Sequence, residues 1–483
     1  MTEDLNGAKS ASRAASAPET KPGFGSDVTG SIIRKLVHPL WARANHPHYG
    51  KYLREFERNQ YLHPDELRAL QMKRLRQQLI HAYRYVPFYQ LRMTEAGLTP
   101  LDIQTHDDLR LLPVLTKRDI QDHQDLLVST DVPASDRVRN QTGGSTGSPL
   151  QFYVDKERFD SRMASTERHN SWAGLYPGDW YAHLWGSRYD VGDRPDPNPH
   201  WRQKFLYRNL TLHTAAVSKD SMLQYVEVLR RYRPRHMLAY AQSAALFAEF
   251  CRENDIRDIK FESIIVSAEM LLPGKRQIIE ETFGGKVFNR YGCREVSVIA
   301  SECEYHSGMH INADALLVEV EPAPNLPAGM GRVLVTDLLN RSMPLIRYEI
   351  GDLASLDSAH MECPCGRSLP LIGNIQGRSS DFLCLPSGRM IAGPSLALLA
   401  ADMRDVRQVQ FIQPDPQHIT LKVVGGHGYS ALTEQELRRR MQPYLEGITN
   451  LTIVRTDSIP SEPSGKYRFV KKSDDIVPAS IAN

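Results

Sequence analysis

HMLAYA at 236–241, SIIVSAEM at 263–270 and KVFNRYG at 286–292 are three short apolar runs whose spacing decides how this chain folds. Each reads as a buried strand, and helical patterns occupy residues 219–232, 242–254 and 273–283 around them. Strands alternating with helices require a parallel sheet covered on both faces, so the expected class is α/β. Downstream, LLVEVEP at 316–322 and RVLVTDL at 332–338 alternate more regularly, which predicts a second sheet or a small β-barrel-like subdomain. A turn-like stretch, NIQGRSSD at 374–381, then interrupts the pattern. Beyond it VRQVQFIQ, HITLKVVG and LTIVRTDSI read as strands and TEQELRRRMQPYL as an amphipathic helix, a small α+β domain of its own. Upstream, residues 32–97 read as helical, with Pro64 and Asp65 starting a helix that carries Leu67, Leu70, Leu75 and Leu79. The expected organisation is a disordered leader at 1–30, a large domain at 31–376 with a helical extension at 31–97, and a mobile C-terminal domain at 377–483.

Bulk properties narrow the function classes. A chain of 483 residues is too long for one hydrophobic core. Its net charge of +2 gives no electrostatic reason to expect nucleic acid or a membrane surface as partner. No apolar run approaches the ~20 residues of a membrane-spanning helix. The leader is rich in Ala, Ser, Gly and charge and lacks the apolar core of a secretory signal. Its acidic Glu3, Asp4, Glu19 and Asp27 disfavour organelle targeting, so a cytoplasmic location is expected. Six cysteines in a chain this long do not make a disulfide scaffold. The tight pair Cys363 and Cys365 points toward metal instead.

Five short segments carry chemistry when read together. The first is a glycine-rich loop, Thr142, Gly143, Gly144, Ser145, Thr146 and Gly147, followed by Ser148, Pro149 and the strand-like LQFYV. Closely spaced glycines let backbone N–H groups approach an oxyanion, and the hydroxyls add donors. The others are YGCRE at 291–295, IRYEIGD at 346–352, GRSSD at 377–381 and PSGK at 463–466. Singly each is ordinary loop or turn chemistry; their order carries the signal.

In that order and spacing the segments resemble the adenylate-forming superfamily of acyl- and aryl-CoA ligases. Within it they are most similar to the phenylacetate–CoA ligase family and its relatives from capsule and natural-product pathways. The resemblance spans residues 32 to 472. It implies a large domain of parallel sheets that binds ATP, Mg²⁺ and a carboxylic acid, and a small domain that rotates. The loop from Thr142 to Gly147 is then the grip on the ATP phosphates. Ser267, Ala268, Glu269, Asn289, Arg290 and Gly292 fall in the ATP site, and Tyr291 stacks on adenine. Glu295 is the Mg²⁺ carboxylate, Asp352 takes the ribose hydroxyls, and Arg378 contacts the nucleotide. Ser380 and Asp381 form the hinge, and Lys466 closes over the α-phosphate and the attacking carboxylate. Where many relatives carry Gly-Lys-Pro at the end of the phosphate loop, this chain has Gly147, Ser148 and Pro149.

A second constellation is Cys303, His310, Cys363 and Cys365, whose thiolates and imidazole suit four-coordinate Zn²⁺. Some relatives hold a structural zinc there; His306 competes with His310 as a ligand. Trp185, Tyr240, Gln242 and Ser243 lie where relatives line the acid pocket. The leading expectation is activation of a carboxylic acid, aromatic by resemblance, to acyl-AMP, followed by transfer to the thiol of coenzyme A. An amine or carrier-protein thiol is the alternative acceptor. A catalytically inactive zinc-stabilised binding protein is the alternative of another class. The basic residues Arg438, Arg439, Arg440, Lys471 and Lys472 offer contacts to the CoA phosphates or simply a solvated face. A carrier protein and a homodimer stay open as partners.

Overall fold

A computed structural model of the protein describes residues 27–142, 150–185, 207–213, 219–322, 326, 329–356, 363–378, 381–387, 389–401, 403, 405–426, 428–448, 450–460, 462 and 467–472. The three apolar runs form the strands His236–Tyr240, Ser263–Ser267 and Lys286–Cys293. Ser263, Ile264, Ile265 and Val266 are all buried, so the run is covered on both faces and shows no polar alternation. Helices Lys219–Tyr232, Ala241–Glu253 and Pro273–Phe283 lie between or before them, as the periodicity predicts. The last begins on a proline and ends at Gly284, whose φ of 78° provides the left-handed cap.

Among the described residues the central sheet has eight strands. Asn209–His213, Tyr181–Trp185, His236–Tyr240, Ser263–Ser267 and Lys286–Cys293 run parallel in that spatial order. Ser297–Glu302, Met309–Ile311 and Leu371–Ile372 extend the sheet antiparallel. The carboxyl ends of the parallel strands therefore face one way and deliver Trp185, Tyr240, Ser267 and Tyr291 to a common cleft.

The expected second sheet is present as four antiparallel strands, Leu316–Glu321, Met330–Asp337, Tyr348–Ser355 and Ile375–Arg378. Its last strand corrects the sequence reading. Residues within the turn-like NIQGRSSD pair with Tyr348–Ser355, so Gly377 and Arg378 are tied to the large domain. Two ion pairs with no solvent exposure, Arg158 with Asp337 at 2.8 Å and Arg168 with Asp314 at 2.9 Å, join the helix Lys156–Trp172 to this part of the molecule. Removing one partner of such a pair leaves a buried charge and typically costs about 3–5 kcal/mol.

The helical extension comprises Val28–Ile32, a π-type turn at Ile33–Val37, His38–Asn45, Tyr49–Asn59, Pro64–Tyr85 and Pro87–Glu95. Pro64 occupies the first turn, and His63 and Glu66 form a reciprocal cap there. Residues 28–30, expected in the leader, are helical. Asp27 accepts the Gly30 N–H at 2.8 Å and pairs with Arg208 at 2.6 Å, which fixes the helix start. C-terminally, Asn450–Thr456, His418–Gly425, Val406–Asp415 and Val470–Lys472 form a four-stranded sheet packed by Gly393–Ala401 and Ala431–Met441. Among the described residues no helix is long and apolar enough to cross a membrane.

Candidate active site

The cleft at the strand ends has a volume of about 1510 Å³ and lies between the central sheet, the second sheet and residues 467–469 of the small domain. Tyr291 and Glu295 enter it from the end of one central strand and the turn after it, Asp352 and Arg378 from the second sheet. The Tyr291 hydroxyl donates to Asp352 Oδ2 at 2.8 Å. Arg378 is the cross-strand partner of Asp352, with its Nε 3.8 Å from Oδ1. The Tyr348 hydroxyl donates to Glu295 Oε1 at 3.1 Å. Burial, and next the neighbouring carboxylate, pushes both phenols far above their ordinary range, so they remain neutral donors.

Local backbone geometry explains the residue types. The pairing register shifts between Tyr291 and Gly292, and a Cβ on Gly292 would stand 2.3 Å from the Ser297 carbonyl oxygen. Only glycine fits this bulge. Ala268, just past the strand Ser263–Ser267, has φ of 69°, a strained conformation for a residue with a side chain. Ser267 Oγ donates to the Arg290 carbonyl at 3.1 Å. Glu269 takes the Gln242 N–H on Oε2 at 2.9 Å and the Tyr467 N–H on Oε1 at 2.5 Å. Asn289 lines the cleft while its N–H donates to Glu302 Oε2 at 2.9 Å. The Arg290 guanidinium is buried against Asn170 Oδ1 at 2.5 Å, and burial lowers its pKa to about 10.

Other expected residues distribute as follows. Thr142 closes the stem of the glycine-rich loop through its N–H to Leu150 O and its Oγ1 from Leu150 N, both at 2.9 Å. Gly143, Gly144, Ser145, Thr146, Gly147, Ser380 and Lys466 lie outside the described residues. Asp381 is in the cleft wall, and burial raises its carboxyl to about 6 despite Arg378 and Arg468 nearby. Trp185 and Tyr240 share one wall of the cleft, with ring centroids 4.2 Å apart. Gln242 and Ser243 sit in the first turn of the helix Ala241–Glu253, off the cleft lining.

One wall went unread in the sequence. Phe159, Arg162, Met163, Thr166, Glu167 and Asn170 of the helix Lys156–Trp172 all line the cleft. Their spacing is a single helical face, a signal available in the sequence but indistinguishable there from a core-facing stripe.

Beside the cleft, Cys303, His310, Cys363 and Cys365 bring four ligand atoms within 4.8 Å of one another. Cys303 Sγ is 3.5 Å from Cys363 Sγ, and His310 Nε2 is 3.3 Å from Cys365 Sγ. His310 Nδ1 is 2.9 Å from the Leu369 carbonyl, which orients Nε2 toward the sulfurs. His306 is engaged elsewhere, with Nδ1 3.2 Å from Glu302 Oε2. Three sulfurs and one imidazole nitrogen in this arrangement match the donor set of a closed zinc site.

Comparison with known proteins shows what this chain is similar to. Residues 383–473 match the family described as the CapK C-terminal domain. The phenylacetate–coenzyme A ligase of Thermus thermophilus is 29% identical over 340 residues, which cover 66% of this chain and 72% of the relative. Protein CapK of Staphylococcus aureus is 24% identical over 368 residues, covering 75% and 80%. The solved 2-hydroxyisobutyryl-CoA ligase, in its postadenylation state, superimposes with a TM-score of 0.71 at 23% identity, covering 87% of this chain and 92% of that one. The fold, the motif order and these relatives agree: the chain is similar to phenylacetate–coenzyme A ligases and protein CapK, and it shares the fold of 2-hydroxyisobutyryl-CoA ligase.

Proposed function

We propose that the protein activates a carboxylic acid with ATP to an acyl adenylate and passes the acyl group to the thiol of coenzyme A. The observation that carries this reading is the convergence of Tyr291, Glu295, Asp352 and Arg378 on one cleft that residue 467, next in sequence to Lys466, also borders. Attack of a carboxylate on an α-phosphate brings anions together, so the site must hold oriented donors and cations where charge accumulates. Asp352, steadied by the Tyr291 hydroxyl, is assigned to the ribose hydroxyls, which an acceptor-only carboxylate suits. Arg378 supplies a guanidinium to the nucleotide side. The amides of residues 142–147 are assigned to the phosphates, and Lys466 to the α-phosphate and the attacking carboxylate.

Glu295 offers a hard oxygen donor in the cleft, so it fits Mg²⁺, which when bound neutralises phosphate charge. Cys303, His310, Cys363 and Cys365 fit a structural zinc that clips the segment after Glu302 to the one before Leu371. Ser380 and Asp381 are assigned to a hinge, with the large domain before it and the mobile domain after it. Trp185 and Tyr240 are assigned to the acid pocket. The test is an ATP–pyrophosphate exchange screen across a library of aromatic, heteroaromatic and medium-chain acids. Acid-dependent exchange supports the reading; folded protein that exchanges with no acid overturns it. A second reading concerns the acceptor alone. The small domain matches the CapK C-terminal domain, so transfer to an amine or a carrier-protein thiol is the competing outcome.

A further inference from the structure

The wall formed by the helix Lys156–Trp172 holds a carboxyl group that the proposed reaction does not use. Glu167 is half-buried, lines the cleft, and accepts a hydrogen bond from the Tyr49 hydroxyl on Oε2. Among the described residues its second oxygen, Oε1, accepts no hydrogen bond. The cation that acts on it, Arg34, pairs with Asp179 at 2.6 Å and stacks over the Tyr176 ring. His38, whose ring is 5.6 Å from that of Tyr49, is kept neutral by burial and then by His46. A half-buried carboxyl in the cleft wall, with one oxygen bonded to Tyr49 and no paired cation among the described residues, offers its other oxygen as an acceptor to a ligand in the cleft.

From this geometry we infer that the protein's acid substrate bears a hydrogen-bond donor, an amino or hydroxyl group, at the end remote from its reacting carboxylate, and that Glu167 Oε1 receives it. The inference rests on reading the cleft as an acid-activating site. The reacting end must face Glu295 and Arg378; the helix Lys156–Trp172 forms a separate wall of the same cleft, and Glu167 is its acidic side chain. Phe159, Tyr181, Trp185 and Tyr240 supply apolar ring faces in the same cavity, which suits an aryl body with a polar tip. Burial pushes the Glu167 carboxyl up to about 7, against the lowering effect of Arg34. Sites built to hydrogen-bond a substrate group discriminate strongly against the analogue lacking it, because the protein group is then left unpaired.

The experiment is acid-dependent ATP–pyrophosphate exchange with matched pairs: benzoate against 3- and 4-aminobenzoate and 3- and 4-hydroxybenzoate, and phenylacetate against 4-aminophenylacetate and 4-hydroxyphenylacetate. The wild-type protein should prefer at least one donor-bearing acid over its parent by about tenfold or more in kcat/KM. Glu167→Gln should erase that preference through KM while leaving exchange with the parent acids unchanged within about twofold. Tyr49→Phe, which keeps the carboxyl, should retain it. Equal or better use of the parent acids by the wild type overturns the inference and leaves acid activation standing. A uniform loss across all acids in a folded Glu167→Gln protein also overturns it, since that marks a purely structural role. No exchange with any acid removes the underlying reading itself. The wild-type comparison decides the question even if the Gln variant does not fold.

Discussion

The backbone N–H of Tyr467 donates to Glu269 at 2.5 Å, and the same carboxylate holds the Gln242 N–H at 2.9 Å. One side chain at a strand end of the large domain thus fastens the small domain at the residue following Lys466. Arg407 reinforces the contact by pairing with Glu253 at 2.6 Å and lending its carbonyl to Lys275 at 3.4 Å. Leu272 of the large domain packs into the apolar cluster of the small one. Sequence resemblance placed Glu269 in the ATP site; in the structure it lines the cleft and also holds the Tyr467 backbone.

Lys466→Ala should lower adenylation by about 10²-fold or more, because a positioned cation at developing charge is worth several kcal/mol. Consumption of a supplied acyl-adenylate by coenzyme A should continue, since the proposed rotation withdraws the lysine after the first step. Both half-reactions can be followed separately, by pyrophosphate exchange and by AMP release. Wild-type exchange in the variant would remove Lys466 from the site.

Glu269→Ala should weaken the same half-reaction for a different reason. It deletes the bond that holds Tyr467, and hydrogen bonds to a charged group are worth roughly 1.5–3 kcal/mol. Exchange is expected to fall about tenfold or more while thioester formation from preformed adenylate changes little. Parallel loss in both half-reactions would mean that Glu269 supports the fold or the ATP site rather than one orientation.

What the sequence disclosed follows physical lines. The strands His236–Tyr240, Ser263–Ser267 and Lys286–Cys293 were legible because burial on both faces writes a continuous apolar run. Tyr291, Glu295 and Asp352 were legible because their chemistry ties them to short, ordered motifs. Ile375–Arg378 was not. It is four residues long and half-buried, and it carries Gly377 at φ of 98°. Its pairing with Tyr348–Ser355 is a tertiary contact that no local preference announces. Glu167 and Tyr49 were hidden for a similar reason. Each sits on a helix, and packing between two helices decides that these residues, 118 apart in sequence, meet at a cleft.

Protein purified without chelator should carry about one zinc per chain. Stripping it, or replacing Cys303 by Ala, should lower the melting temperature before it alters the adenylation rate of protein still folded. The reason is that a closed four-ligand site offers no open position to substrate and contributes folding energy outright. Cys303 and His310 are buried and the site abuts Trp172, whose ring lies 5.7 Å from that of His310, so its loss should loosen this packing. Folded, active protein without metal by elemental analysis would reject the site.

Glu167 gives a pH signature in the absence of ligand. Burial raises its carboxyl from 4.5 to about 7, so between those values the folded protein holds a proton that the unfolded chain has lost. Folding then binds protons in that window, and stability falls as pH rises from about 4.5 to about 7, levelling off above. Glu167→Gln cannot titrate there. The difference in melting temperature, variant minus wild type, should therefore grow with pH through the window and stay constant beyond it. A difference independent of pH would mean that Glu167 titrates normally.

The acceptor is the final question, and the small domain supplies the terms. Arg439 and Arg440 both bond to Glu436, at 2.7 Å and 2.8 Å, and Lys471 pairs with Glu462 at 3.2 Å. Arg438 donates to the Leu451 carbonyl. The basic cluster offered by the sequence as a contact for the CoA phosphates is thus largely paired within its own domain. Exposed pairs of this kind contribute only about 0–1 kcal/mol to stability, so Arg439→Ala should fold normally. It should also leave the KM for coenzyme A within about threefold, because recognition must come from elsewhere. The experiment preforms the acyl-adenylate with an acid that passes the exchange screen and adds coenzyme A, pantetheine and simple amines in parallel. Accelerated AMP release with a thioester product from coenzyme A is the expected outcome. A tenfold or larger rise in KM for Arg439→Ala would return the basic face to the CoA site. Consumption by an amine, with coenzyme A inert, would place the protein among amide-forming enzymes and leave every assignment in the adenylation cleft unchanged.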